Sequence, residues 1–160
     1  MDIEIGIADY HAPADGQAIV ALMDSYAQDP MGGGQTLPNK VRENLVTILA
    51  EIPHAFTVLA YVDGEAAGLV NCFQGFSTFK CRPLTNIHDV VVRDKYRGMG
   101  LSQKMLAKVE EVARGRGCCK LTLEVLEGNQ VAQSAYRKFG FAGYELDPAM
   151  GKALFWEMPL

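Results

Sequence analysis

The chain opens on an alternation. Ile3, Ile5 and Ile7 fall on one side and Glu4 and Gly6 on the other, the period of a half-buried strand. The period then lengthens. From about Asp15 to Gln28, Ile19, Leu22, Met23 and Tyr26 recur at helical spacing, and from Leu37 to Ile52 the same spacing returns in Val41, Leu45, Ile48, Leu49 and Ile52, with Pro53 closing the helix. Between them lies Asp29-Pro30-Met31-Gly32-Gly33-Gly34, which no regular element tolerates and which reads as a loop bordering a site. A meander follows. Phe56–Val62 is joined through the hairpin turn Asp63-Gly64 to Ala66–Gln74, and Ile87–Val92 is the next strand. Leu101 to about Arg114 reads as an amphipathic helix. It buries Leu101, Met105, Leu106, Val109, Val112 and Ala113, exposes Lys104, Lys108, Glu111 and Arg114, and ends at Gly115 and Gly117. Leu121, Leu123 and Val125 mark one face of a strand, Thr122 and Glu124 the other. Asn129 caps a short helix that buries Val131, Ala132, Ala135 and Phe139 and stops at Gly140. Phe141–Leu146 and Ala153–Met158 read as two last strands.

The order β-α-α-β-β-β-α-β-α-β-β predicts an α/β (α+β) fold in one domain over residues 1–160. Its mixed, mostly antiparallel sheet has about seven strands, with about four helices on its faces. At 49% hydrophobic residues the chain can bury a real core, and a net charge of −4 argues against nucleic acid as the main partner while suiting a cationic substrate. No apolar run reaches the length of a membrane span, and Met1-Asp2-Ile3-Glu4 lacks the basic start of a secretory signal, so a cytoplasmic protein without membrane partners is expected. Cys72, Cys81, Cys118 and Cys119 form no Cys-x-x-Cys pair and no zinc spacing; they read as reduced packing residues, and no metal is expected.

The chemistry concentrates where Val90-Val91-Val92 runs through a short connection into Arg97-Gly98-Met99-Gly100-Leu101-Ser102 and then into a helix. Two glycines allow a tight turn, and the helix begins with its N–H groups facing out of the loop, an arrangement that attracts an anion. The same pattern also serves as a plain tight connection. It is not a Walker loop, since no Gly-Lys-Ser/Thr follows. It is not a dinucleotide fingerprint either, since Gln103 and Lys104 supply no third small residue.

A second motif, about thirty residues on, narrows the choice: Asn129-x-x-Ala132-x-x-x-Tyr136-x-x-x-Gly140-Phe141. Together with Lys95-Tyr96-Arg97-Gly98-Met99-Gly100, it resembles the GNAT superfamily of acetyl-CoA-dependent N-acetyltransferases. The core motif of that superfamily reads Gln/Arg-x-x-Gly-x-Gly/Ala, with Lys95 standing here where Gln or Arg is usual. Within the superfamily, Phe76 to Phe155 is most similar to the spermidine/spermine (diamine) N-acetyltransferase branch, although His88 replaces a glutamate of that branch and acidic residues around its polyamine are missing.

The resemblance implies the GNAT fold and an acetyltransferase that moves acetyl from acetyl-CoA to a primary amine of a small molecule in a ternary complex. The backbone of Arg97, Gly98, Met99, Gly100, Leu101, Ser102 and Gln103 would hold the pyrophosphate, with the glycines letting it approach closely. Val90, Val91 and Val92 would pair with the pantetheine amides like an added strand. Asn129 would cap its helix and touch the cofactor. Tyr136 would protonate the departing thiolate; a phenol near 10 and a thiol near 8.5 differ by about 1.5 pKa units, roughly 2 kcal/mol. Deprotonating an alkylamine at pH 7 costs about 4–5 kcal/mol, and Glu124, His88 and Asp89 are the candidate bases, Glu124 or His88 acting through water. Alternation places His88 and Asp89 on opposite faces, so only one would reach the substrate. Phe73, Phe76, Phe79 and Tyr26 are candidates for the acceptor pocket. Exposed edge strands leave room for a homodimer. A non-catalytic acyl-CoA-binding sensor or interaction domain, and a protein or peptide N-acetyltransferase, remain open on the same residues.

Overall fold

The computed structural model describes all 160 residues. Its elements are β1 (Ile3–Ile7), α1 (Pro13–Gln28), α2 (Asn39–Glu51), β2 (Phe56–Val62), β3 (Glu65–Ser77), β4 (Arg82–Val92), α3 (Leu101–Gly115), β5 (Leu121–Leu123) and α4 (Gln130–Phe139). The sheet runs β1-β2-β3-β4-β5; the first three pairings are antiparallel and the last is parallel. A parallel neighbour needs a crossover, and α3 supplies it. α1 and α2 cover one face, where Ile19, Leu22 and Leu49 meet Leu59, Leu69 and Val91. α3 and α4 cover the other, where Met105, Leu106 and Val109 meet Val58, Val70 and Ile87.

Local chemistry sets most boundaries. Asp63 and Gly64 both adopt positive φ, the geometry a two-residue hairpin requires. Pro13 starts α1, Pro38 precedes α2, and the Asn129 side chain accepts from the Ala132 N–H at 3.1 Å to cap α4. The segment Asp29–Gly34 is not wholly irregular. Pro30–Gly32 make one turn of 3-10 helix, capped by the Asp29 carboxylate on the Met31 N–H.

The sheet departs from the expected one in three ways. First, β3 and β4 form a longer hairpin than Ala66–Gln74 and Ile87–Val92, because Pro83, close to the tip opposite Phe76, masks the start of β4. Second, Phe141–Leu146 and Ala153–Met158 do not pair into strands, so the sheet has five strands rather than seven. Only the Ala153 N–H to Tyr144 carbonyl bond, 3.0 Å, links the two segments. Leu154, Phe155 and Trp156 stay exposed. β5 bonds β4 through three residues and offers no long edge on which those segments could register. Third, β4 carries a bulge. Asn71 pairs with Asp89 and Cys72 with Ile87, which leaves His88 as the extra residue. Elsewhere Ile7 and Val131, expected inside, lie exposed. No helix is long and apolar enough to cross a membrane.

Gly68 shows how tightly α3 lies on the sheet. A Cβ there would stand 2.7 Å from the Val91 carbonyl oxygen and 2.9 Å from Met105 Cε. Gly68→Ala is expected to destabilise the fold by about 1–3 kcal/mol, because the backbone oxygen cannot move aside. Chemical denaturation of the two proteins measures this; equal midpoints would show that the layer can relax.

Candidate functional site

β4 and β5 are bonded only at Thr85–Ile87. Beyond Ile87 they part, and Val90–Val92 keep one edge free of any strand. A groove of about 420 Å³ opens there, walled by Val90–Val92, the turn into α3, the end of α1 and the start of α4. The turn is built of amides without partners. The N–H groups of Gly98, Met99, Gly100, Leu101, Ser102 and Gln103 find no acceptor in the protein, and the first helical bond is Lys104 N–H to the Gly100 carbonyl at 3.2 Å. Six successive free donors at a helix start form an anion cradle. Gly98 (φ 78°) and Gly100 (φ 75°) are left-handed, and a Cβ at either would meet nothing within 4 Å. Glycine is therefore required here for backbone conformation, whatever clearance a ligand also needs.

The basic residue of the cradle is Arg97, not Lys95. Arg97 lines the groove and is paired with Asp94 at 2.9 Å and, more loosely, with Asp29 at 3.8 Å. Lys95 is turned away, ion-paired with Glu65 and lying over the Tyr96 ring, whose hydroxyl also donates to Glu65. Shifting the motif by two residues, to Arg97-x-x-Gly100-x-Ser102, puts an arginine in its first position and a serine in its last small one. Two other expected contacts are limited to the backbone. The Met99 side chain packs toward Val62, Ala67 and Leu101, and Gln103 Nε2 donates to the Ala135 carbonyl at 2.9 Å, clasping α3 to α4.

Tyr136 stands where the groove meets a second hollow, formed by β5, α4 and residues 141–145. Its ring packs edge-on against Phe141, and its hydroxyl has no protein partner. Burial, helped by nearby Tyr26, pushes its pKa up to about 12. Tyr26, on the opposite wall, is also raised, by burial first and then by the carboxylates of Asp89 and Asp29. Asn129 reaches the groove while capping α4.

The bulge overturns the expected separation of His88 and Asp89. His88 is exposed and packs edge-on against Phe73 at 5.3 Å, and Phe73 belongs to the α1 side of the sheet. Asp89 lies opposite Asn71 and bonds it, on that same side. Both groups therefore serve one face. Glu124 is exposed just beyond β5 and has no side-chain partner. Phe76 and Phe79 are exposed toward the hairpin tip, away from the groove, whereas Tyr26 lines it.

The sequence reading missed a buried polar row. Tyr10 Oη lies 2.9 Å from Thr57 Oγ1, Thr57 Oγ1 donates to Asn71 Oδ1 at 2.7 Å, and Asn71 Nδ2 donates to Asp89 Oδ2 at 3.0 Å. Thr57 and Asn71 are buried. One signal was available: a lone amide in the apolar run Leu69-Val70-Asn71-Cys72-Phe73.

Comparison with known proteins identifies the family and the fold. Bovine thialysine Nε-acetyltransferase is 40% identical over 65 residues, 41% of this chain and 38% of that protein. Streptothricin acetyltransferase of Streptomyces lavendulae is 33% identical over 105 residues, 61% of this chain and 53% of that one. The chain thus spans roughly two fifths to one half of the length of these relatives. Among solved structures, an aminoglycoside acetyltransferase from an uncultured soil metagenomic sample superposes with a TM-score of 0.79 at 13% identity, covering 99% of this chain and 96% of that one. Ribosomal-protein-alanine N-acetyltransferase of Brucella melitensis superposes with a TM-score of 0.75 at 18% identity, covering 91% and 96%. These likenesses concern the fold, a mixed sheet flanked by four helices. Residues 19–141 match the model of the acetyltransferase (GNAT) family, and the chain belongs to that family.

Proposed function

We propose that the protein moves an acetyl group from acetyl-CoA to a primary amine of a small molecule by direct transfer in a ternary complex. The observation that carries this reading is the row of six unpartnered amides, Gly98–Gln103, opening into a groove beside the free edge of Val90–Val92 and ending at the Tyr136 hydroxyl. These residues fit acetyl-CoA part by part. The amides and Arg97 suit its pyrophosphate, and the free strand edge suits the two amides of its arm. Asn129 borders the same groove. A structural neighbour, an aminoglycoside acetyltransferase, was solved in complex with a CoA-linked bisubstrate analogue, which supports CoA as the group this fold receives. Relatives and neighbours named for thialysine, streptothricin and aminoglycosides support a small-molecule amine as acceptor, and none of these is named for spermidine or spermine.

When bound, acetyl-CoA supplies an acetyl thioester. Tyr136 answers the charge that develops on sulfur. Its raised pKa keeps the phenol protonated across the working range, but about 12 against a thiol near 8.5 makes complete transfer about 5 kcal/mol uphill. The phenol therefore acts chiefly as a hydrogen-bond donor to sulfur, a larger mismatch than unperturbed acidities imply. On the acceptor side, His88 and Glu124 are exposed and line neither hollow, so either one would take the amine's proton only through water.

The direct check is thiol release over a panel of amines, which must require both substrates. Tyr136→Phe is expected to lower kcat roughly 10- to 100-fold with acetyl-CoA affinity changed by less than about twofold; unchanged turnover would remove Tyr136 from the chemistry. Gly100→Val forces a β-branched residue to positive φ and is expected to weaken CoA binding at least about tenfold, read by calorimetry. Tyr136 also marks the alkaline limb of stability. Its folded pKa lies above the unfolded value near 10, so the stabilisation of the neutral phenol is complete below pH 10 and is lost as pH rises toward 12. Denaturation midpoints between pH 9 and 11.5 are expected to fall less steeply for Tyr136→Phe than for the parent.

A further inference from the structure

The chain between α3 and β5 is pinned from several sides. The Cys118 N–H donates to the Ala113 carbonyl at 3.0 Å and the Cys119 N–H to the Pro83 carbonyl at 2.8 Å. The Arg82 guanidinium donates to the carbonyls of Gly117 and Cys118 at 3.1 and 3.3 Å. In a regular strand two neighbouring side chains face opposite ways. Here the chain bends at Cys119, and Cys118 and Cys119 line one hollow. That hollow has a volume of about 280 Å³, lies between the ends of α3 and α4, and shares no residue with the cofactor groove.

The two thiols are not equivalent. Cys118 Sγ lies 3.3 Å from Thr85 Oγ1 and is the one hydrogen-bond partner of that buried hydroxyl. Cys119 is half-buried, and its Sγ makes no hydrogen bond. The other two cysteines stand elsewhere: Cys72 is sealed in the core, and Cys81 is exposed in the turn between β3 and β4. The rim of the hollow carries Arg114, Lys120 and Glu110, an excess of positive charge on a chain whose net charge is −4. Glu110 is taken by Arg114 at 2.9 Å, so Lys120, lying over the Tyr144 ring, is the cation without a carboxylate. A free thiol in an open hollow beside an unpaired cation suits a small reagent that is both thiol-reactive and anionic.

The hollow also touches the site. Lys120, Leu121 and Phe141 wall it on one side and wall the hollow beside Tyr136 on the other. Phe141 packs edge-on against Tyr136 with ring centroids 6.0 Å apart, and its N–H donates to the Tyr136 carbonyl at 2.9 Å. A group held in the hollow meets Phe139 and Phe141 before anything else in α4.

We propose that Cys119 is a site of reversible mixed-disulfide formation with a small anionic disulfide, and that the attached group displaces Phe141 and with it Tyr136. The Cys119 thiol gives up its proton to water and its sulfur attacks one sulfur of the reagent. A new S–S bond forms, the old one breaks, and the departing thiolate takes up a proton. The reagent is the oxidant, and half of it leaves as a reduced thiol. Cys118 does not displace the attached group. Neighbouring Cα atoms are about 3.8 Å apart, short of the roughly 4.4–6.8 Å that a disulfide spans. Phe141 is the positioning residue and makes no contact with substrate.

The test uses the intact protein, glutathione disulfide as the anionic probe and hydroxyethyl disulfide as its uncharged counterpart. Peptide mass mapping is expected to find Cys119 modified by glutathione disulfide at least about tenfold faster than Cys81. Lys120→Gln is expected to slow that reaction about threefold to tenfold and to leave the rate with the uncharged disulfide unchanged. Equal rates at Cys81 and Cys119, attachment at Cys118, or a Cys118–Cys119 bridge in place of the mixed disulfide would overturn the site. In the modified protein the Tyr136 ring resonance, assigned by its absence in Tyr136→Phe, is expected to shift and to return when dithiothreitol removes the group. Modification is likewise expected to lower kcat at least about fivefold, with CoA affinity changed less than about twofold, reversibly. That last readout rests on the amine-acetylation reading, whereas labelling and resonance do not. If no amine is acetylated while the label and the shift are seen, that reading fails and the site stands. A modified protein whose Tyr136 resonance does not move would overturn the link from the hollow to Tyr136.

Discussion

The close seating of α3 on the sheet is the constraint on which the site depends. Met105, Leu106 and Val109 are buried against β2, β3 and β4, and Gly68 lets Met105 approach the backbone of β3 and β4. That packing determines where the helix begins, and so where six amide donors are aimed. A helix N-terminus attracts an anion wherever it lies, but only a rigidly seated one holds it in register with a neighbouring strand edge. Leu101, buried against Val62 and Ala67, fastens the first turn itself. Apolar burial thus places a polar site that has little apolar content of its own.

The second determinant is the parting of β4 from β5. A parallel pair bonded through three residues is a weak seam, and past Ile87 the strands diverge. Tyr136 occupies the junction, wet enough to meet a ligand and dry enough that its proton is held tightly. The bulge at His88 lies just past that parting, on the other edge of β4, where it pairs with β3. One extra residue turns a strict alternation into two adjacent polar groups serving one face, and it sets Asp89 opposite Asn71.

What could be read in the chain was local. Asp63-Gly64, the glycines before α3, the Asn129 cap and the Tyr136 motif each depend on a few adjacent residues, and each lies where expected. What could not be read was pairing. Alternation identifies Phe141–Leu146 and Ala153–Met158 as able to form strands, but whether a partner edge exists depends on β5, which is short. The bulge is invisible for the same reason, since an inserted residue shows only against its partner. Lys95 and Arg97 both fit a basic motif position. Glu65, thirty residues upstream of Lys95, decides between them by capturing the lysine.

This division between local and distant determinants bears on specificity. The anion cradle is one contiguous stretch, Gly98–Gln103, so a short run of sequence specifies it. The two hollows that meet at Tyr136 draw instead on α1, the segment after it, β4, β5, α4 and the chain beyond α4. The buried row from Tyr10 to Asp89 crosses the boundary between the two kinds of determinant. It ties the first loop of the chain to β4, the strand that also borders the cofactor groove.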